Sequence, residues 1–95
     1  MSDRKGMKPR LLLVEDDPVS RGFMGAALEA LPAQVDAAET MRAALALEGT
    51  HDLWLLDANL PDGHGTDLLA QLRIRYPTTP ALAHTADDSP ALRLQ

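Results

Sequence analysis

Two short apolar runs in this chain each end abruptly in acid. Leu11-Leu12-Leu13-Val14 runs into Glu15-Asp16-Asp17-Pro18, and Leu53-Trp54-Leu55-Leu56 runs into Asp57. The loop Ala58-Asn59-Leu60-Pro61-Asp62-Gly63 follows directly. Two strands ending in acid at the same edge of a sheet would bring Glu15, Asp16 and Asp57 close together. Like charges so placed raise one another's pKa values, and the cluster calls for a cation.

The elements that must hold these residues can be read from the pattern around them. Each run is too short for a typical helix and is bounded by turn residues, so each predicts a strand buried on both faces. Asp57 then sits at the carboxyl end of a central parallel strand, the edge where open α/β sheets bind ligands. Strand one is expected over 10–15. Asp17-Pro18 reads as an N-cap followed by proline at the first helical position. A first helix follows, with Val19, Phe23, Ala26, Ala27, Ala30 and Leu31 at helical spacing, and Pro32 ends it. Gly22 and Gly25 cost this helix propensity, so its stability must come from packing.

A second strand over 33–37 is predicted mainly from its place between two helical patterns. Thr40 caps a helix expected to run through Glu48, with Met41, Ala44, Leu45 and Leu47 inward and Gly49 closing it. Strand three covers 52–56, and the 57–65 loop follows. Leu68, Leu69, Leu72 and Tyr76 form one stripe of a helix over 66–76, stopped by Pro77. Ala81-Leu82-Ala83-His84-Thr85 predicts a fourth strand. The alternation β-α-β-α-β-α-β implies a doubly wound parallel sheet with right-handed crossovers and helices on both faces.

Composition narrows the class. With 95 residues, 45% of them hydrophobic, the chain is one small domain. It has no cysteine, so a disulfide framework and a cysteine zinc site are both excluded. No apolar run approaches a membrane span and the N-terminus lacks a signal peptide's apolar core, so the expected location is cytoplasmic, with no membrane partner. The net charge is −5, but Arg4, Lys5, Lys8 and Arg10 against Asp3 give the first ten residues +3, leaving −8 for the rest. An acidic body argues against nucleic-acid binding. Residues 1–9 read as a disordered basic tail and 10–95 as the domain.

Three motifs, taken together and in order, resemble a known family. Leu-Leu-Val-Glu15-Asp16-Asp17-Pro18, then Leu-Leu-Asp57-Ala-Asn59-Leu60-Pro61-Asp62-Gly63-His-Gly65, then Ala-His-Thr85-Ala86 are similar to the receiver domain of two-component response regulators, of the CheY-like kind. The resemblance covers roughly residues 10–90 and implies a flavodoxin-like sheet of strand order 2-1-3-4. It further implies that Glu15 and Asp16 hold Mg²⁺ and that Asn59 adds its backbone carbonyl to the ion. Asp57 would both ligate the ion and accept a phosphoryl group, and Thr85 would contact that group and couple it to loop rearrangement. Asp17 is left to the capping role. The chemistry is coherent: a carboxylate can form an aspartyl-phosphate, and a divalent ion offsets the repulsion between two anions. Mg²⁺ suits a site with few carboxylates plus phosphate oxygens.

An isolated aspartate after a strand is commonly only a turn or cap residue. Here the second acidic terminus and the Asn59 spacing decide for a site. Trp54 reads as core, and His51, His64 and His84, lacking metal-ligand spacing, read as structural or exposed. The sequence departs from the family after strand four: the fourth helix is partial, and the fifth strand, the last helix and the lysine that pairs with the acceptor aspartate are not in it. No lysine follows Lys8. Strand four is therefore expected to be an exposed edge, through which a homodimer would form.

Three functions follow. The first is a phosphoacceptor receiver, not an enzyme, that takes its phosphoryl group on Asp57 from a histidine kinase or phosphotransfer protein. The second is a degenerate receiver that serves as an interaction or dimerisation module. The third is a hydrolase with Asp57 as covalent nucleophile, which would want a second acid where Asn59 stands.

Overall fold

Each acidic terminus is carried at the end of a buried strand, and the sheet sets them side by side. A computed structural model of the chain describes residues 8–84 and 93–94; most of the expected tail, and Thr85, lie outside the described residues. The elements are β1 (Arg10–Val14), α1 (Pro18–Glu29), β2 (Gln34–Ala38), α2 (Met41–Ala46), β3 (Leu53–Asp57), β4 (Asn59–Leu60), β5 (Gly63–His64), α3 (Gly65–Arg75), β6 (Ala81–His84) and β7 (Arg93–Leu94).

The main sheet has the order β2-β1-β3-β6-β7. Its first three pairings are parallel, so the expected order 2-1-3-4 is observed, with β6 as the fourth strand. Passing from β1 to β2 moves one way along the sheet, and each later crossover moves the other way. Right-handed crossovers therefore put α1 on one face and α2 with α3 on the other. Strand alternation agrees. Leu12 and Val14 of β1 and Trp54 and Leu56 of β3 join Ala44 of α2 and Leu68 and Leu72 of α3 in one core. Each such fully buried Leu contributes roughly 1.5–3 kcal/mol. Tyr76 meets Trp54 edge-on, with ring centroids 6.2 Å apart.

Four expectations need correction. Strand four is not a bare edge: Leu94 and Arg93 of β7 pair antiparallel with Leu82 and Ala83. The 57–65 loop is not irregular throughout, because β4 and β5 form a two-stranded hairpin within it. Helix α2 stops at Ala46, and Gly49 takes a left-handed φ of 94° in the loop beyond, instead of capping the helix.

The fourth correction concerns the rotation of α1. Its expected inward stripe faces out, with Val19 79%, Phe23 77% and Leu31 54% exposed. Arg21, Met24, Gly25 and Leu28 are half-buried instead. In this orientation Arg21 Nη1 donates to the carbonyls of Glu15 (3.0 Å) and Asp16 (3.2 Å), a polar tether between the helix and the end of β1. Helical spacing identified the helix correctly. It did not identify the face the sheet takes.

Candidate functional site at the carboxyl edge of the sheet

Glu15 is the first residue past β1, yet its N–H still donates to the Ala38 carbonyl at 3.0 Å, so the strand's direction continues through it. Its side chain turns inward and is only 1% exposed. Glu15 Oε2 accepts from the Asp17 N–H at 3.0 Å. Asp17 in turn caps α1, its Oδ2 accepting from the Ser20 N–H at 2.7 Å, and these bonds hold its pKa below the ordinary range. The cap expected from Asp17-Pro18 is thus present, and it orients the neighbouring glutamate as well.

Asp57 closes β3 and is 4% exposed. Its Oδ1 accepts from the Asn59 N–H at 3.1 Å, a local bond that orients the carboxylate. Behind it the Ala58 N–H donates to the His84 carbonyl at 2.7 Å, and the Gly65 N–H to the Ala58 carbonyl at 2.9 Å. Gly65 opens α3 hard against the strand end: a Cβ there would overlap the Asp57 carbonyl oxygen and lie 3.2 Å from Ala58 Cα. Only glycine allows that approach. The loop is anchored at its far side too, because Asp62 Oδ1 and Oδ2 accept from the Met41 and Arg42 N–H groups at 2.8 and 3.0 Å. These are free donors of the first turn of α2, beyond the one Thr40 caps through the Ala43 N–H at 2.9 Å.

The electrostatics follow from burial. Loss of solvent pushes the Glu15 carboxyl up to about 7; the Asp17 N–H bond opposes this, and the neighbouring Asp57 adds to it. Burial also raises Asp57, against the pull of the Asn59 N–H. Burial and the neighbouring carboxylate thus both disfavour the charged form of Glu15. Asp16, next in the chain to Glu15, stands exposed beside them. Glu15 and Asp57 are thus brought together at this edge, their ligand atoms within 4.8 Å. Asn59 joins them through its N–H, with its side chain exposed. An apolar pocket lined by Leu56, Ala58, Gly65, Thr66, Leu69 and Ala83 adjoins this edge.

One site residue escaped the sequence reading. His84 is not a remote structural histidine: it is the register partner of Asp57 across β3 and β6, and it is 6% exposed. Its Nδ1 lies 3.5 Å from Glu15 Oε1. Burial lowers its pKa, with the Asp57 charge acting in the opposite direction. Ligand atoms of Glu15, Asp57 and His84 all lie within 4.8 Å of one another. A signal for it existed. His84 ends the apolar run Ala81-Leu82-Ala83 at the same edge where acids end the other two. The remaining histidines behave as expected. The His51 side chain bonds Asp36 Oδ2 at 2.8 Å, as does Arg10 at 2.6 Å, and His64 is exposed.

The family model of the response regulator receiver domain matches residues 11–95. The aerobic respiration control sensor protein ArcB of Escherichia coli (strain K12) is 42% identical over 82 residues, 81% of this chain and 10% of ArcB. The chain thus spans about a tenth of that relative's length. Among solved structures, the non-phosphorylated HemR receiver domain from Leptospira biflexa superposes with a TM-score of 0.79 at 37% identity, over 86% of this chain and 68% of that one. The response regulator TrrA from Thermotoga maritima, in complex with Mg²⁺-BeF, gives 0.77 at 29% identity, over 84% and 70%.

Proposed function

The chain belongs to the response regulator receiver domain family, and on that premise we propose that Asp57 is the acceptor of a phosphoryl group delivered by a histidine kinase or phosphotransfer protein. The observation that carries this reading is the buried Glu15–Asp57 pair at the carboxyl edge of the sheet, with Asp16 at its mouth. In the reaction an Asp57 carboxylate oxygen bonds to phosphorus, the bond from phosphorus to the donor's imidazole nitrogen breaks, and that imidazole leaves. The chain is a switch and not an enzyme in the usual sense, and its output is protein contact in the cytoplasm.

The donor set fits Mg²⁺. Its carboxylate donors are oxygens, and Glu15 Oε1 is buried without a hydrogen-bond partner, a vacancy in bonding that a cation would fill. Glu15, Asp16 and Asp57 would hold the ion, with the Asn59 carbonyl as a further donor. When bound, Mg²⁺ supplies the positive charge that lets an anionic phosphoryl group approach an anionic carboxylate. Asp57 is oriented for that approach by the Asn59 N–H, while Gly65 and Asp62 fix the loop. Thr85, whose role comes with the family resemblance, would contact the transferred group. The receiver portion is 10–95, preceded by the basic tail.

Intact mass after incubation with Mg²⁺ and a small-molecule phosphodonor tests the reading. We expect a gain of one phosphoryl group that Asp57→Asn and a chelator both abolish. A second reading is a receiver that works as an interaction or dimerisation module without phosphorylation. A folded protein that gains no phosphoryl group would establish that reading instead. A homodimer through strand four would have to displace β7 from Leu82 and Ala83.

A further inference from the structure

Glu15 Oε1 and His84 Nδ1 face each other at 3.5 Å, too far for a hydrogen bond. Glu15 Oε1 has no hydrogen-bond partner, and neither has the other ring nitrogen, Nε2. Buried polar atoms of this kind are ordinarily paired, and here both belong to residues that offer a ligand atom within 4.8 Å of an Asp57 carboxylate oxygen. Two buried oxygen donors and one buried nitrogen donor thus converge. Among the described residues this is the one group of three such side chains close enough to share a metal ion.

We propose that His84 is a third protein ligand at this edge and that its imidazole turns the site toward first-row transition ions such as Mn²⁺ and Zn²⁺ in preference to Mg²⁺. The inference rests on the acidic cluster being a cation site, as in the reading above, and adds a ligand and a selectivity to it.

The chemistry of the donors carries the argument. Mg²⁺ favours oxygen and keeps its waters, so an imidazole beside the carboxylates adds little to its binding. Zinc accepts imidazole readily and manganese binds more tightly than magnesium to a mixed nitrogen and oxygen set, and catalytic zinc sites have three protein ligands and an open position. Metal–donor bonds run about 2.0–2.2 Å, so three atoms within 4.8 Å of one another need only small side-chain adjustments to meet on one ion. The ring is also well placed to stay put. His84 lies within the parallel ladder, paired with Asp57, and its carbonyl accepts from the Ala58 N–H. A ligand mounted on a strand holds its geometry better than one on a loop.

The test is calorimetric titration of the untagged 95-residue chain with Mn²⁺, Zn²⁺ and Mg²⁺ separately, in wild type, His84→Ala and His84→Gln, with circular dichroism to confirm folding. We expect both variants to lose at least about tenfold in Mn²⁺ and Zn²⁺ affinity, the lower bound of what support around a metal ligand contributes, with Mg²⁺ affinity little changed. Electron spin-echo spectra of the Mn²⁺-loaded wild type should carry a nitrogen modulation that His84→Gln removes; the wild-type spectrum does not depend on either variant folding. Variants that bind Mn²⁺ and Zn²⁺ like wild type, or a wild-type spectrum without nitrogen, would overturn the assignment. Phosphorylation of Asp57 in Mg²⁺ is read separately in the wild type. Phosphorylation without the nitrogen signal would sink this inference alone, and the nitrogen signal without phosphorylation would sink the phosphoacceptor reading alone.

Discussion

Gly65 packs against the backbone of Asp57: a single added methyl at Gly65 would overlap the Asp57 carbonyl oxygen. The start of α3 is thereby pressed onto the strand end that carries the Asp57 carboxylate. Backbone on both sides leaves nothing flexible to give way. Gly65→Ala is expected to destabilise the chain by about 1–3 kcal/mol, the usual range for overpacking. It should also slow phosphoryl uptake, since the loop and Asp57 must move together. Urea unfolding and the rate of mass gain measure the two effects.

Gly22 and Gly25 offer the contrasting case. Both lie inside α1, and a Cβ at either would meet nothing within 4 Å. Replacing one with alanine is expected to stabilise by roughly 0.5–1 kcal/mol, because glycine costs a helix interior about that much. A raised urea midpoint for Gly22→Ala, beside a lowered one for Gly65→Ala, would separate helix propensity from close packing in one experiment.

The Glu15–Asp57 pair predicts an unusual pH profile. Glu15 is raised from 4.5 to about 7 in the folded chain. Between those values the folded state holds a proton that the unfolded state has released. Its contribution is complete below the unfolded value and is lost as pH rises through about 7, a loss on the order of 3 kcal/mol for a shift of this size. In chelator, the urea midpoint should therefore fall from pH 5 to pH 8. Glu15→Gln should flatten that fall, and millimolar Mg²⁺ should reverse it at pH 8. Ion binding should release protons near neutrality, visible as a dependence of calorimetric heat on buffer.

Asp62 supplies a prediction at the far side of the loop. Its two carboxylate oxygens serve the Met41 and Arg42 N–H groups, and these bonds hold its pKa low. Asp62→Ala should leave both donors exposed to solvent and free the hairpin of β4 and β5 from α2. Hydrogen exchange at Met41 and Arg42 is expected to accelerate, with the β1 and β3 amides unaffected. Because the depressed carboxyl must be ionised to act, the same acceleration should appear in wild type as pH falls through its folded pKa.

The sequence alone determined the local and repetitive features. Three apolar runs bounded by turn residues specified three of the four parallel strands, and the place of 33–37 between two helical patterns specified the other, since run length and turn chemistry are encoded within a few residues of each position. Asp17 and Thr40 were legible as caps for the same reason, and the Leu68, Leu72, Tyr76 stripe identified both α3 and its buried side. The acidic cluster could be inferred because two strands ended alike. Tertiary structure decided what depends on register and on contacts distant in sequence. Whether α1 turns Phe23 or Met24 toward the sheet was decided by how the helix docks, the arrangement in which Arg21 reaches back to the end of β1. Asp62 became an anchor only when the loop met α2, twenty residues earlier in the chain. His84 has no spacing relation to Glu15 or Asp57, and it enters the site because β6 pairs with β3 in the register that sets it opposite Asp57. A strand's own residues fix that it is a strand; its neighbours fix which side chains it meets.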